Sequence, residues 1–227
     1  MTFVLARVPA LRLLRTPRAW APILLWSLLA VVMAIAARTT GSASGASHVM
    51  RGSFAFLVLP LVAYAIVGGV IGAGGLRHGV RGVVALGAGP RHAALASVGV
   101  AVAYAMAACG ILAALVCVLA HGAQDPPLAS DVPTSFWVGA LGGGAYGAFF
   151  CAGSALWKGK LRGVFLAFDW IVGGGAGASA LLTPRGHVLS LLGGLPCAEL
   201  SQRASSALLV VLLLAYGGVA IALTRRP

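Results

Sequence analysis

Charged side chains are scarce in this chain, and acidic ones are rarer still. Charged residues account for 9% of the 227 residues, and only four residues are Asp or Glu. A soluble domain carries about a quarter charged residues. Hydrophobic residues make up 60% of the sequence, so the surplus apolar surface needs an apolar surrounding. The composition therefore excludes an ordinary soluble domain and predicts a protein embedded in lipid.

The sequence also lacks the short motifs that mark common catalytic sites. It has no HExxH zinc motif, no histidine–carboxylate cluster and no nucleophile elbow. The nearest approach to a phosphate-binding loop, residues 154–160 (SALWKGK), has serine at the first glycine position and no Ser or Thr after the lysine. The four cysteines show no metal-ligand spacing, and we interpret them as packing residues. We therefore predict a non-catalytic chain without a metal or a cofactor.

The basic residues lie in alternate gaps between about six apolar runs. One set of gaps contains no acid and holds twelve of the sixteen basic residues. These twelve are Arg7, Arg12, Arg15, Arg18, Arg77, Arg81, Arg91, Lys158, Lys160, Arg162, Arg225 and Arg226. The other gaps hold Arg38, Arg51, Arg185 and Arg203 together with Asp125, Asp131 and Glu199. An excess of Lys and Arg marks cytoplasmic loops. Because the bases sit in short gaps rather than on one solvated face, the pattern argues against nucleic-acid binding and favours attraction to anionic headgroups.

The apolar runs predict an all-α polytopic membrane protein with one transmembrane domain over residues 1–227. A helix that crosses the hydrocarbon core needs about 20 apolar residues. Six stretches approach that length, namely residues 20–37, 54–75, 93–120, 136–157, 164–182 and 206–224. An even number of spans and the arginines at both ends predict that both termini are cytoplasmic. The first stretch could instead be a cleaved signal peptide, because a basic flank precedes it and Ala-Ile-Ala follows at 34–36.

Three segments outside these spans have patterns of their own. In residues 1–19, leucines and arginines fall largely on different sides of a helix. This pattern predicts a short helix in the cytoplasmic interface, and a basic flank that only orients the first span is the alternative. Residues 122–135, with two acids and three prolines, are predicted to be a solvated outer connector. Residues 183–205 place prolines and glycines around an apolar piece at 188–192, which predicts a short re-entrant or interfacial helix on the outer side.

Glycines at four-residue spacing predict close contacts between helices. The chain has 32 glycines. Three such pairs lie inside the predicted spans: Gly68 and Gly72, Gly143 and Gly147, and Gly173 and Gly177. These pairs favour a tightly packed bundle or a dimer.

Residues 76–95 (LRHGVRGVVALGAGPRHAAL) are too polar for the lipid interior and too apolar for a free loop. They predict a short helix that runs to about Leu86 and is stopped by Gly87 and Gly89. Pro90 would then open the next helix, where its missing N–H costs little. Such an apolar corner, flanked by positive charge, suits a groove on a cytoplasmic partner. A loop that only joins two spans is the alternative.

The arrangement resembles that of ABC-2-type transporter permeases. These have about six spans, both termini inside, an amphipathic helix before the first span and a short coupling helix in the first cytoplasmic loop. A Leu-x-x-x-Pro-x-x-Arg segment follows their coupling helix. Leu86 and Pro90 match that spacing, whereas Ala93 stands at the arginine position and Arg91 comes two residues earlier. The run VALGAGPRH at 84–92 is also similar to the coupling loops of FtsX-like ABC membrane proteins.

The resemblance implies a non-catalytic permease subunit. Richness in Ala, Gly and Arg, with only two lysines, indicates a GC-rich bacterial genome, so we expect it in the cytoplasmic membrane of a bacterium. A separate cytoplasmic ABC ATPase would hydrolyse ATP, and two permease copies, identical or different, would form the pathway of an exporter. The coupling segment, residues 76–92, would dock on the ATPase. The residues implied in that contact are Val83, Val84, Leu86, Pro90 and Arg91.

Asp169 is the one acid inside an apolar run, the predicted fifth span. Ionisable residues at membrane depth are costly and often functional. Asp169 could be a proton or substrate site, or the buried partner of a base such as Arg81 or Arg91. A polar helix contact near the cytoplasmic interface is the alternative. A proton- or ion-coupled transporter that uses Asp169 is therefore our second functional hypothesis, and a membrane enzyme acting on lipids is the third.

Overall fold

The computed structural model describes residues 2–175 and 177–224, and these residues form helices without any β-strand. The α-helices of this part are α1 (Thr2–Arg15), α2 (Pro17–Thr39), α3 (Gly45–Val49), α4 (Leu59–Ile71), α5 (Gly75–Ala85), α6 (Pro90–Ala120), α7 (Leu128–Ala155), α8 (Leu161–Val172), α9 (Pro184–Leu191) and α10 (Gln202–Leu223). A π-helical segment, Met50–Val58, joins α3 to α4. Short 3-10 turns cover Trp157–Gly159, Ala178–Leu182 and Cys197–Glu199. The predicted all-α class is confirmed.

Within the described residues, four helical segments are long and apolar enough to cross a membrane. They are α2, the run Gly45–Ala85, α6 and α10. They overlap the predicted stretches 20–37, 54–75, 93–120 and 206–224. Helices α2, α6 and α10 begin three or four residues earlier than predicted, whereas Gly45–Ala85 is longer than the stretch 54–75 by nine residues at its start and ten at its end. The protein therefore has the helices of a membrane protein. The count of six spans and the cytoplasmic position of the termini stay predictions, and Arg225 and Arg226 lie outside the described residues.

Helix α7 occupies the centre of the bundle. All its residues from 138 to 155 are buried, and it packs mainly against α6 and α10. Its 28 residues extend about 42 Å at 1.5 Å per residue. Helix α7 begins eight residues before the predicted stretch 136–157. The predicted outer connector 122–135 is therefore partly helical, and only residues 121–127 form the connection between α6 and α7.

The three glycine pairs have three different roles. Gly143 and Gly147 face α6, as predicted, because a Cβ on Gly143 would lie 2.6 Å from the Ala105 carbonyl oxygen. Gly139 extends the same line of contact. The pair at 68 and 72 faces arginine side chains rather than a helix, and the pair at 173 and 177 lies beyond the end of α8. Four-residue spacing therefore marks a close helix contact in only one of the three cases.

The predicted fifth span, residues 164–182, is not one continuous helix. Helix α8 ends at Val172 after 12 residues, or about 18 Å, which is short of the roughly 30 Å of a hydrocarbon core. Three consecutive glycines, 173–175, follow it, and glycine costs about 1 kcal/mol per residue in a helix interior. Hydropathy alone did not reveal this break, because glycine interrupts a helix without adding charge.

The chain resumes in α9, inside the segment 183–205 that was predicted to lie on the outer side. Pro184 opens α9 as its first residue, where its missing N–H costs little. Five of the eight residues of α9 are buried, namely Pro184, Gly186, His187, Val188 and Ser190. The predicted short helix is present, and it packs into the bundle against α7 and α10.

Among the described residues, gaps of the two sets meet at opposite ends of the bundle, although Arg185 of the second set lies deeper in it. At one end, the Arg12 guanidinium of α1 donates to the carbonyl of Gly79 in α5, and Gly75 of α5 lies against Gly159. At the other end, the Asp125 carboxylate accepts from the backbone N–H of Ala46. There, too, Arg51 donates to the carbonyl of Leu192. Tertiary contacts therefore join the gaps of each charge class, as a two-sided membrane arrangement requires.

Candidate functional site

The corner between α5 and α6 is an ordered projection at the basic end of the bundle. Gly72 and Gly75, at φ +90° and +78°, turn the chain out of α4 and into α5. Gly87, at φ +91°, ends the projecting helix, and this left-handed conformation is cheap only for glycine. Pro90 opens α6. The end of α5 before Gly87 and the start of α6 at Pro90 therefore match the boundaries predicted from the sequence.

The predicted coupling residues divide into two groups at this corner. Leu86 is 89% exposed, although it is a large apolar residue, and Pro90 and Arg91 are exposed beside it. Val83 and Val84 are half-buried and pack against the core of the bundle. Val83 also lines a small gap beside α1. The geometry leaves Leu86 as the apolar side chain that a partner can reach, while the two valines hold α5 in place.

A basic cleft lies beside the same corner, and the sequence patterns did not predict it. It measures about 580 Å³ and lies between α5 and the turn Trp157–Gly159. Arg77, His78, Arg81 and Lys158 contribute to its walls. Trp157, in the turn, is 77% exposed. In the sequence, the only indication of this cleft was that the gap with Arg77 and Arg81 and the gap with Lys158 both belong to the basic set. The contact of Gly75 with Gly159 brings these two gaps together.

Asp169 forms a second candidate site in the middle of the helical bundle. Its side chain is fully buried. Its Oδ2 accepts a hydrogen bond of 2.7 Å from the hydroxyl of Tyr146, which is itself fully buried in α7. Tyr146 lies nine residues before the end of α7, which is about 14 Å along the helix. Asp169 is therefore well away from the terminal turn that holds Lys158.

Arg185 is the base beside this carboxylate. Its backbone N–H donates to Asp169 Oδ1 at 3.4 Å. Its guanidinium donates to the Trp170 carbonyl at 3.2 Å and lies 4.4 Å from the centroid of the Phe56 ring. The predicted pairing of Asp169 with Arg81 or Arg91 is wrong. Both of those arginines are exposed at the α5–α6 corner.

The break between α8 and α9 shapes the surroundings of Asp169. Asp169 lies in the last turn of α8, and Arg185 is the second residue of α9. The carboxylate therefore meets the N-terminal end of α9, where unpaired N–H groups and the helix dipole favour negative charge. His187 lies one turn from the start of α9, and its buried Nδ1 has no hydrogen-bond partner within residues 2–175 and 177–224.

Sequence reasoning found Asp169 but missed Tyr146 and Arg185. The available signal was the glycine run at 173–175 followed by Pro184, because discontinuous membrane helices often carry binding sites. The arrangement can hold a proton on the carboxylate or attract a cation to it. The described residues contain no group of three His, Cys, Asp or Glu side chains that could hold a metal ion.

Comparison with protein-family models and with curated proteins gives no match. The function is therefore proposed from the geometry of these two sites.

Proposed function

We propose that this chain is the permease subunit of an ATP-driven ABC transporter of the ABC-2 type, working as an exporter. The observation that carries the proposal is Leu86, 89% exposed at the tip of an ordered helix corner. At this exposure, Leu86 contributes little to the packing of its own chain and is accessible to a partner. Burial of one leucine in a partner's groove contributes about 1.5–3 kcal/mol. The proposed partner is a cytoplasmic ABC ATPase, with a second permease copy completing the transporter in a bacterial cytoplasmic membrane.

The connections of α5 suit it to transmit movement into the membrane helices. Gly72 separates α5 from α4, and Gly87 separates it from α6. Its other contacts run to α7, to the turn Trp157–Gly159 and, through the Gly79 carbonyl, to Arg12 of α1. A push on Leu86 would therefore reach the central helix α7 through packed side chains. Rigid elements with hinges at their ends are the usual means of such coupling.

The test replaces Leu86 with aspartate and compares it with a matched control, Leu195→Asp. Leu195 is also a highly exposed leucine, at 78%, but it lies in the loop after α9 at the opposite end. ATP hydrolysis that co-purifies with each tagged variant from native membranes is measured. We expect Leu86→Asp to lose most of it, because 1.5–3 kcal/mol corresponds to about 10- to 150-fold in affinity.

The control variant should keep its associated ATP hydrolysis. Undiminished ATP hydrolysis with Leu86→Asp would refute the docking role. Equal loss in both variants would indicate a general effect on folding, and the assignment would lose its support.

A proton- or ion-coupled transporter is the second candidate, and the buried Asp169 with its Tyr146 partner favours it. A carboxyl group held 2.7 Å from a hydroxyl donor beside a broken helix is a common arrangement for proton relays and ion sites. The test is Asp169→Asn in proteoliposomes under an imposed pH gradient, with a pH-sensitive dye inside. Asparagine keeps the shape and an acceptor for Tyr146 but cannot carry the proton.

The second candidate requires proton movement in the wild type and its loss in Asp169→Asn. Wild-type proteoliposomes that move no protons in the absence of ATP would remove the proton-coupled form of this candidate, and the same assay under an imposed sodium gradient tests the ion-coupled form. Asp131→Asn, in the first turn of α7, is the control for a general effect of losing a carboxylate.

A further inference from the structure

A second arginine-lined cleft lies on another face of the basic end. It measures about 520 Å³ and is bounded by the junction of α1 and α2, by α4 and by the start of α8. Arg12, Arg18 and Arg162 reach it from three different helices, and Trp26 and Tyr64 supply aromatic walls. The cleft is distinct from the α5–α6 corner, because it contains none of the proposed coupling residues.

Arg162 is held in this cleft in a defined orientation. Its guanidinium carbon lies 4.6 Å from the centroid of the Tyr64 ring. A Cβ on Gly68 would lie 3.4 Å from both of its terminal nitrogens, so the guanidinium packs directly against the surface of α4 at this glycine. Its Nε is buried and has no hydrogen-bond partner among the residues that the structure describes. Arg162 is therefore positioned by packing, while at least one of its donors lacks an acceptor from the chain.

The cleft has an excess of positive charge that the described residues do not neutralise. The Arg12 guanidinium donates hydrogen bonds to the carbonyl oxygens of Ile71 and Gly79, at 3.0 and 3.3 Å. Carbonyl dipoles satisfy hydrogen bonds but leave the unit charge of the guanidinium in place. None of the four acids of the chain lines the cleft. Arg12 and Arg162 are half-buried, and a partly desolvated guanidinium group is costly without an anion nearby.

The remaining walls indicate the form in which the anion arrives. Pro22, Leu61 and Ala65 join Trp26 in an apolar surface that runs away from the arginines along α2 and α4. Both helices belong to segments that are long and apolar enough to cross a membrane. The cleft thus combines guanidinium donors, which match phosphate oxygens well, with an apolar track of the kind that an acyl chain can follow.

We infer that this cleft binds the phosphate group of an anionic phospholipid, with an acyl chain along α2 and α4. Basic pockets between membrane helices on the side with excess Lys and Arg bind such headgroups. The inference goes beyond the proposed transport function and does not depend on an ATPase partner. The lipid would neutralise Arg162 and Arg18 and would stabilise the junction of α1 with α4.

The test measures lipid binding to the full-length chain in neutral detergent by native mass spectrometry. Phosphatidylglycerol is titrated against phosphatidylcholine for the wild type and for Arg162→Gln. Arg15→Gln is the matched control, because Arg15 is an exposed arginine near the end of α1 that does not line the cleft. Removing a charged donor should weaken phosphatidylglycerol binding about tenfold. The control should stay within about twofold of the wild type, as expected for a screened surface charge.

A second measurement keeps the test independent of any folding defect in Arg162→Gln. Brominated phosphatidylglycerol in phosphatidylcholine bilayers should quench the fluorescence of Trp26, read as the difference between the wild type and Trp26→Phe. Brominated phosphatidylcholine at the same mole fraction should quench Trp26 less. Both results together would support the assignment.

Three outcomes would overturn it. The first is equal affinity of the wild type and Arg162→Gln for phosphatidylglycerol. The second is equal loss in Arg15→Gln, which would indicate general attraction to surface charge. The third is displacement of the lipid by millimolar inorganic phosphate, which would mean that the arginines take free phosphate rather than a headgroup.

Discussion

The contact between α6 and α7 allows one substitution, Gly143→Ala, to be predicted in detail. A Cβ added to Gly143 would lie 2.6 Å from the Ala105 carbonyl oxygen and 2.7 Å from the Cys109 Cβ. Favourable contacts between carbon atoms lie at about 3.5–4.0 Å. The two helices must therefore separate by about 1 Å to accept one methyl group. Both neighbours belong to α6. A backbone carbonyl and a Cβ do not move when a side chain changes its rotamer, so rotamer changes cannot relieve the overlap.

The expected cost follows from that separation. A gap of 0.5–1 Å forfeits about a quarter to a half of each contact energy across the interface, and overpacking of buried positions costs about 1–3 kcal/mol. Alanine recovers up to about 1 kcal/mol through its higher helix propensity. The net loss should be about 1–2 kcal/mol. For a chain of this size, that corresponds to a melting temperature lower by about 2–8 °C.

Buried thiols provide the assay. All four cysteines are free and buried, so a thiol-reactive fluorophore reports unfolding as the temperature of the detergent-solubilised protein rises. The control is Gly99→Ala on α6, where an added Cβ would meet no atom within 4 Å. The control should melt at or slightly above the wild-type temperature. Equal melting temperatures for Gly143→Ala and Gly99→Ala would refute the packing argument.

The remaining predictions concern Asp125, which fastens the α6–α7 connection to the start of α3. Its carboxylate accepts hydrogen bonds from the backbone N–H groups of Gly122, Ala46 and Ser47 and from the Ser47 hydroxyl. Asp125→Ala should therefore lower the free energy of unfolding by about 1–2 kcal/mol, measured with the same thiol assay. An unchanged melting temperature would contradict this. Partial burial alone would raise the pKa of Asp125, but these four hydrogen bonds outweigh it and hold the pKa below its ordinary value of 3.8. Because the folded state favours the carboxylate, its stabilisation is complete above that value and is lost as the pH falls through the lowered pKa. Wild-type and Asp125→Ala melting temperatures should therefore converge under strongly acidic conditions. They are followed there by circular dichroism, because protonated thiols do not react with the fluorophore. A difference that persists would show that the charge is not responsible.

The corner between α5 and α6 shows how far local chemistry reaches. Gly87 and Pro90 act on the backbone at their own positions, and their effects need no distant partner. The helix boundaries there were accordingly predictable from the sequence. The exposure of Leu86 and the half-burial of Val83 were not, because they depend on where α1 and α6 pack.

The neighbourhood of Asp169 shows the opposite limit. Its hydroxyl partner, Tyr146, is 23 residues earlier in the chain on another helix, and its basic neighbour, Arg185, belongs to a segment predicted to lie outside the span. Hydropathy identified residues 164–182 as one apolar run, because it averages the transfer free energies of single residues. It does not report whether those residues form one continuous helix. The glycines at 173–175 ended the helix, and that break allowed Arg185 to approach the carboxylate.

By itself, the sequence determined the helical class and the four apolar segments that are long enough to cross a membrane, since these follow from composition and from local backbone preferences. The tertiary structure decided which gaps meet, which glycines face a helix and which face an arginine, and which arginines remain without an acid. These outcomes depend on distances between residues far apart in the chain. Only the packing of the helices around α7 sets those distances, and the same packing leaves Leu86 exposed and the charge of Arg162 uncompensated.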